Sequence, residues 1–297
     1  MRQDIITRAQ NTITQRRISA ENAYKEIVSP LYQDEEYVKL EREQTRLLIE
    51  NAKKEALGDK PDTKREKELS EKLLQIKTKH NLQNAKVEYS CPLCNDNGYI
   101  NGQMCKCLKK EISKLLMQDS GFDKLESFNE CTKTSGMEDI YKKMQEWCNK
   151  SSSKNLIYIA GPTGVGKTVL LRCMANELIE NGKVVKITTA FNMNQDFREF
   201  FKTRNEELIN KYLSPEILFV DDLGTEPKYD GVTIECLYLL VNERKMKNLP
   251  SVITSNLDLA DLRDRYDERI YSRIVDRNSS INIYLDGADK RIKKIKN

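Results

Sequence analysis

Eight residues, Gly161-Pro162-Thr163-Gly164-Val165-Gly166-Lys167-Thr168, constrain the fold of this 297-residue chain more than any others. They fit the pattern G-x-x-x-x-G-K-[ST], follow the apolar run Leu156-Ile157-Tyr158-Ile159-Ala160, and precede an amphipathic segment from Thr168 to Glu180. A glycine-rich turn between a strand and a helix N-terminus points several backbone N–H groups at one place, which suits an anion. Lys167 adds a compact cation for β and γ phosphates, and the Thr168 hydroxyl is positioned to coordinate Mg²⁺, so the pattern implies a site for ATP. Alone, it fits a kinase or a transport motor as well as a switch.

Downstream, short β-branched runs at Leu156 to Ile159, Val184 to Thr189, Ile217 to Val220, Val252 to Thr254 and Ile281 to Leu285 alternate with helical stretches. That alternation predicts an α/β fold with a five-stranded parallel sheet. The run Ile217-Leu218-Phe219-Val220 ends in Asp221-Asp222, two carboxylates delivered to the sheet edge that carries the phosphate loop. Asp221 is expected to hold Mg²⁺ through water. Asp222 is the candidate for orienting the attacking water, with a turn cap as its alternative role. Asn256 closes the next strand, where a γ phosphate or a water could be sensed. In Asp267-Glu268-Arg269-Ile270-Tyr271-Ser272-Arg273 two arginines lie four apart on one helical face, a spacing that presents both guanidiniums to one anion or forms a salt-bridged surface.

Composition matters most before this region. Charged residues make up 32% of the chain and apolar ones 38%, with a net charge of only +4, which predicts a soluble, cytoplasmic protein with heavily ionised surfaces. No apolar run approaches the roughly 18 residues of a membrane helix, and the N-terminus lacks the apolar core of a signal peptide, so no membrane partner is expected. Cytoplasmic thiols stay reduced, so the eight cysteines are read as metal ligands or small buried side chains rather than disulfides. Cys91 and Cys94, then Cys105 and Cys107, form a C-x-x-C and C-x-C pair around the turn Asn95-Asp96-Asn97-Gly98, which reads as a closed, structural Zn²⁺ site. Redox thiols, free cysteines, or a site in which His80 replaces one Cys are the alternatives, and His80 is otherwise an exposed helical residue.

Residues 1–88 are rich in Glu, Lys, Arg and Gln and nearly free of Gly and Pro, which predicts helices. Pro30 marks one break. Gly58-Asp59-Lys60-Pro61-Asp62 marks another, so helices of about 20 residues on either side should fold back as a hairpin. With few large apolar residues, this arm is expected to complete its packing on a partner, with a solvated helical arm that has no partner as the alternative. The domain reading is a helical region at 1–88, a zinc knuckle and linker at 89–119, and a nucleotide-binding domain at 120–297.

The phosphate loop, Asp221-Asp222, the Thr254-Ser255-Asn256 strand end and the Glu-Arg-x-x-x-Arg helix, in this order, resemble AAA+ ATPases of the replication-initiator and helicase-loader clade. The resemblance implies that Asn256 is the first sensor, Arg273 an arginine finger acting on a neighbouring subunit's ATP, Arg269 its companion, and Arg291 the second sensor. It therefore implies self-association and slow, partner-stimulated ATP hydrolysis. The chain ends about a dozen residues after the fifth strand, which is taken as the absence of a lid and favours a loader over a full initiator. Helices around Phe191 to Phe201 correspond to the clade's insertion that lines a single-strand channel. Arg198, Lys202 and Arg204 suit phosphates there, whereas Phe191, Phe197, Phe200 and Phe201 serve equally well as core. The cysteine knuckle just before such a module is similar to helicase loaders of the DnaC and DnaI type. That similarity implies a replicative hexameric DNA helicase and single-stranded DNA as partners, with the helical arm docking on the helicase. A transposition-associated, IstB-like AAA+ protein acting on duplex DNA is the alternative reading.

Overall fold

The computed structural model describes residues 3–118, 122, 125–131, 137–150 and 154–287. Contacts divide the chain into two units, Ile13–Asn97 and Met1–Thr12 with Gly98–Asn297.

The chain begins with helix α1 (Gln3–Val28), a 3-10 turn at Ser29–Gln33, α2 (Glu35–Leu57) and α3 (Thr63–Lys79). Pro30 lacks the N–H that would extend the ladder, so α1 ends beside it. The Asp34 carboxylate caps α2 by accepting from the Glu36 and Tyr37 amides at 3.0 and 3.1 Å. Gly58, at φ 84°, closes α2 in the left-handed conformation that glycine tolerates best. The expected hairpin forms between α2 and α3, and Asn51 pins it. This buried amide accepts from the Asp62 N–H at 2.8 Å and donates to Glu66 at 3.2 Å. The apolar cluster here is small, built on Val28, Leu31, Tyr37 and Leu73. Leu48, Ile49, Leu57 and Leu74 stay exposed. His80 is half-buried rather than exposed, with Nε2 3.5 Å from an Asp34 carboxylate oxygen.

The other unit carries a small antiparallel hairpin, β1 (Tyr99–Ile100) with β2 (Gln103–Met104), then α4 (Lys106–Met117) and α5 (Glu138–Asn149). The α/β part follows as β3 (Leu156–Ala160), α6 (Lys167–Glu180), β4 (Val185–Thr189), α7 (Ala190–Thr203) and α8 (Glu207–Leu213). It closes with β5 (Ile217–Leu223), α9 (Thr233–Met246), β6 (Ser251–Ser255), α10 (Leu259–Arg265), α11 (Glu268–Ile274) and β7 (Ser280–Tyr284). The sheet order is β4-β5-β6-β3-β7, with every neighbouring pair parallel. All five expected strands are present.

Period-2 alternation along the strands sorts side chains to two faces. Ile157 and Ile159 pack with Ile187, Phe219 and Val252 against residues of α5 and α6. Leu156 and Tyr158 pack with Leu218, Val220 and Ile253 against α7, α9 and α11. Each large apolar side chain so buried contributes roughly 1.5–3 kcal/mol, and burial on both faces explains why the runs of β3 (Leu156–Ala160) and the start of β5 (Ile217 to Val220) are continuously apolar.

Arg244 of α9 is buried and fixes the starts of β5 and β6. Its guanidinium donates to the carbonyls of Tyr212, Pro215 and Pro250 at 2.9, 3.0 and 2.7 Å and to Ser251 Oγ at 2.9 Å. Burial lowers its pKa to about 9.

One expectation needs correction. Cys131 and Cys173 are joined as a disulfide, against the expectation of reduced thiols. Both side chains are buried in the cluster where the segment before β3 packs on α6. The partners stand 42 residues apart in sequence, so cysteine spacing carries no trace of their contact. Among the described residues, no helix is long and apolar enough to cross a membrane.

Candidate nucleotide site and cysteine cluster

Strand β3 runs into the phosphate loop, whose glycines are required by geometry. At Gly161 (φ 151°), a Cβ would lie 2.2 Å from the Leu285 carbonyl oxygen, because the end of β7 is laced to β3 by the Leu285 N–H bond to Ala160 O at 2.8 Å. Gly164 and Gly166 take φ of 84° and 105°, values open to glycine at little cost. The loop Gly161 to Thr168 thus leads into the N-terminus of α6 at the C-terminal edge of the sheet, the end of a helix at which N–H groups and the positive pole of the dipole favour an anion.

Lys167 is only 5% exposed. Its Nζ donates to the carbonyls of Gly161 and Pro162 at 2.7 and 2.8 Å, and to Asn256 Oδ1 at 2.7 Å. The sensor candidate at the end of β6 therefore meets the loop lysine directly. A phosphate oxygen entering this cradle would accept from the same ammonium group.

Asp221 lies at the end of the apolar part of β5 and accepts from Thr168 Oγ1 at 3.0 Å and from Thr254 Oγ1. Burial, the largest cause, and the neighbouring Asp222 charge raise its pKa, against the lowering effect of the two hydroxyls. A divalent cation beside a buried carboxylate and a threonine hydroxyl reverses that balance by favouring the ionised form. The donor set Asp221 and Thr168 therefore fits Mg²⁺.

Asp222 sits where the β5–β6 register shifts, between Val220 and Leu223, at φ 56°. Its N–H donates to Thr254 Oγ1 at 3.0 Å, and its carbonyl accepts from Thr225 N and Oγ1 at 3.2 and 2.8 Å. The turn is thus made by its backbone. Among the described residues, no group donates a hydrogen bond to its carboxylate. Thr254, which binds both aspartates, is quoted from sequence only within the strand end Thr254-Ser255-Asn256 and carries no role of its own there, because a threonine in a β-branched strand looks like ordinary strand composition.

Arg269 and Arg273 share one ring: their guanidiniums lie 4.9 and 4.5 Å from the Tyr238 centroid. Arg269 is neutralised by Glu235 at 3.0 Å and Asp267 at 2.6 Å. Arg273 donates instead to neutral acceptors, Asn242 Oδ1 at 3.0 Å, Arg269 O at 2.9 Å and Tyr238 Oη at 3.0 Å. Among the described residues, neither arginine bonds to the phosphate loop or to Asp221 and Asp222. Arg291 lies outside the described residues.

In the α7 region, Phe197 is buried against Tyr212, Phe200 and Phe201 are partly buried, and Phe191 is exposed. Arg198 stacks on Tyr229, Arg204 stacks on Phe201, and Lys202 pairs with Glu199 at 3.7 Å.

The sulfurs of Cys91, Cys94, Cys105 and Cys107 all lie within 4.8 Å of one another, and none is in a disulfide. Zn–S bonds near 2.3 Å in a tetrahedron put sulfurs about 3.8 Å apart, so the cluster fits zinc. Asp96 shapes the turn by accepting from the Ser90 and Cys91 amides at 2.7 and 2.9 Å. His80 does not belong to the group. Protein purified without chelators is expected to carry about one zinc per chain by elemental analysis; a metal-free, folded preparation would remove the assignment.

A parallel P-loop sheet of this order, with paired aspartates at its edge, defines an AAA+-type ATP-binding domain. The family described as IstB-like ATP binding protein matches residues 113–293, and the chain belongs to that family. The phage-like element PBSX protein XkdC of Bacillus subtilis is 28% identical over 228 residues, covering 67% of this chain and 84% of that protein. The replicative helicase loader DnaC of Escherichia coli K12 is 29% identical over 120 residues, 39% of this chain and 48% of DnaC, so only about half of that relative is spanned. Domain III of the Thermotoga maritima replication initiation protein DnaA shares the fold, with a TM-score of 0.50, 23% identity, and coverage of 57% of this chain and 71% of that one.

Proposed function

We propose that the chain is an ATP-hydrolysing loader that binds the replicative DNA helicase and delivers it to single-stranded DNA during replication initiation or restart. The observation that carries the switch mechanism is Arg273, a cation held on a rigid aromatic ring with no carboxylate among its described partners. Such a group suits an anion outside its own subunit, here the ATP of a neighbouring copy, with Arg269 as its companion. Hydrolysis is then coupled to self-association.

In this reading the loop amides and Lys167 hold the phosphates. Thr168 and Asp221 hold Mg²⁺, which would supply charge neutralisation of the phosphates. Asp222 orients the attacking water with a carboxylate one methylene shorter than a glutamate, consistent with slow turnover that partners stimulate. Asn256, through its bond to Lys167, senses the terminal phosphate. The resemblance alone assigns Arg291 a second sensor role. Residues 1–88 dock on the helicase, 89–119 form the zinc knuckle, and 120–297 form the motor. The similarity to DnaC and the cysteine cluster ahead of the ATP-binding domain support loading.

A second reading, a transposition-associated protein acting on duplex DNA, has the family description in its favour. Incubating the chain and ATP with a replicative helicase, single strands and duplex separates the two. The loader reading expects co-elution with helicase and single strands; ATP-dependent filaments on duplex, with no helicase bound, would favour the other.

A further inference from the structure

The turn after β5 is closed by a side chain that the nucleotide chemistry does not use. Glu226 is only 3% exposed. One carboxylate oxygen accepts the Gly224 N–H at 2.8 Å, two residues past Asp222. The other accepts the Tyr266 hydroxyl and lies 3.7 Å from Arg265 Nη2, which also donates to the Glu226 carbonyl. Tyr266 is itself 4% exposed. Burial first, then the Glu226 charge, raises its pKa, so the phenol remains a donor. It immediately precedes Asp267, the N-cap of α11, whose carboxylate accepts the Ile270 N–H at 3.0 Å.

On one side of Glu226, then, is the turn containing Asp222. On the other is the start of the helix that carries Arg269 and Arg273. The fit on the turn side is tight: a Cβ at Gly224 would lie 2.7 Å from Leu257 Cδ1, and Leu257 follows Asn256 directly. On the helix side, Ile270 and Ile274 are fully buried in the same core cluster as Tyr266, so α11 and Tyr266 are packed on one core. A buried, charge-assisted bond between two elements of this kind is costly to break and strongly directional.

We propose that Glu226 is a positioning residue that couples the Asp222 turn to the arginine-bearing helix α11 through Tyr266. This rests on the reading that Arg273 acts on a neighbour's ATP. Nucleotide bound at one subunit's β5 edge thereby sets the pose of the arginines that the same subunit offers to the next.

Two variants test it, Glu226→Gln, which keeps the volume and removes the charge, and Tyr266→Phe, which keeps the ring and removes the hydroxyl. Each should lower kcat about tenfold, equivalent to roughly 1.4 kcal/mol, with nucleotide affinity within twofold of the parent and an unchanged circular dichroism spectrum. In an Arg273→Ala background neither should lower kcat further, because the effect passes through that side chain. Equal losses in both backgrounds would overturn the coupling, as would a parallel loss of nucleotide affinity. Hydrogen exchange supplies an arm that needs no hydrolysis. A non-hydrolysable ATP analogue should change protection of residues 268–274 in the parent, and Tyr266→Phe should abolish that change while protection at the phosphate loop persists. An unresponsive α11 in the parent, or the same response in Tyr266→Phe, contradicts the proposal whether or not the chain hydrolyses ATP. A parent and an Arg273→Ala variant that turn over alike instead remove the trans-arginine reading.

Discussion

Arg273→Ala is expected to lower ATP turnover by roughly 10³-fold or more, the contribution of an arginine supplied in trans to phosphoryl transfer, while leaving nucleotide affinity within about twofold. The two effects separate because Arg273 has no described contact with its own phosphate loop, being held by Tyr238, Asn242 and the Arg269 carbonyl. Removing it also loses a partly exposed stack on Tyr238, on the order of 1 kcal/mol, so the fold should survive. Arg269→Ala is the internal comparison. Its guanidinium is already paired with Glu235 and Asp267, so its loss should cost far less. Steady-state ATPase at several protein concentrations, beside titration with a fluorescent nucleotide, reads both quantities. A normal rate in Arg273→Ala contradicts the role.

Lys167→Ala should act at the opposite step and strongly weaken nucleotide binding. Lys167 is buried, and its Nζ makes two hydrogen bonds to loop carbonyls and one to Asn256 Oδ1 at the end of β6. Charge-assisted bonds contribute roughly 1.5–3 kcal/mol each. Exchanging them for phosphate contacts and then removing the donor should weaken ATP by at least ~100-fold, or about 2.7 kcal/mol. The folded state should be less affected, because two of the three acceptors, the Pro162 carbonyl and the Asn256 amide, belong to exposed residues where water can replace the ammonium. Isothermal titration with ATP and Mg²⁺ measures this, and affinity within tenfold of the parent would remove Lys167 from the phosphate site.

The fold was largely readable because its signals are local. Five short β-branched runs alternating with helical stretches predicted the five parallel strands, and the octapeptide predicted the loop joining β3 to α6. Pro30 and Gly58 marked the breaks in the helical arm because each acts through its own backbone. What sequence could not supply were contacts between distant positions. Thr254 bridges to Asp221 across 33 residues and Glu226 reaches Tyr266 across 40. Neither a strand threonine nor a glutamate after a turn looks unusual by type. The arginine pair was visible as a helical spacing, yet only the Tyr238 ring of α9 and the carboxylates around Arg269 distinguish a neutralised guanidinium from one still able to meet an anion. The same blindness hid the Cys131–Cys173 pairing, while the knuckle cysteines, close in sequence, were legible as a set.

In the proposed loader, ATP at the phosphate loop controls delivery of a helicase to single-stranded DNA. The most direct measurement is transfer of a purified replicative hexamer onto a labelled single strand, followed with ATP present, for the parent chain and for Lys167→Ala. The parent is expected to load in a nucleotide-dependent way and the variant only at background, at equal helicase occupancy. Loading by Lys167→Ala at the parent rate would instead make the chain an adaptor whose helices and knuckle act without the nucleotide.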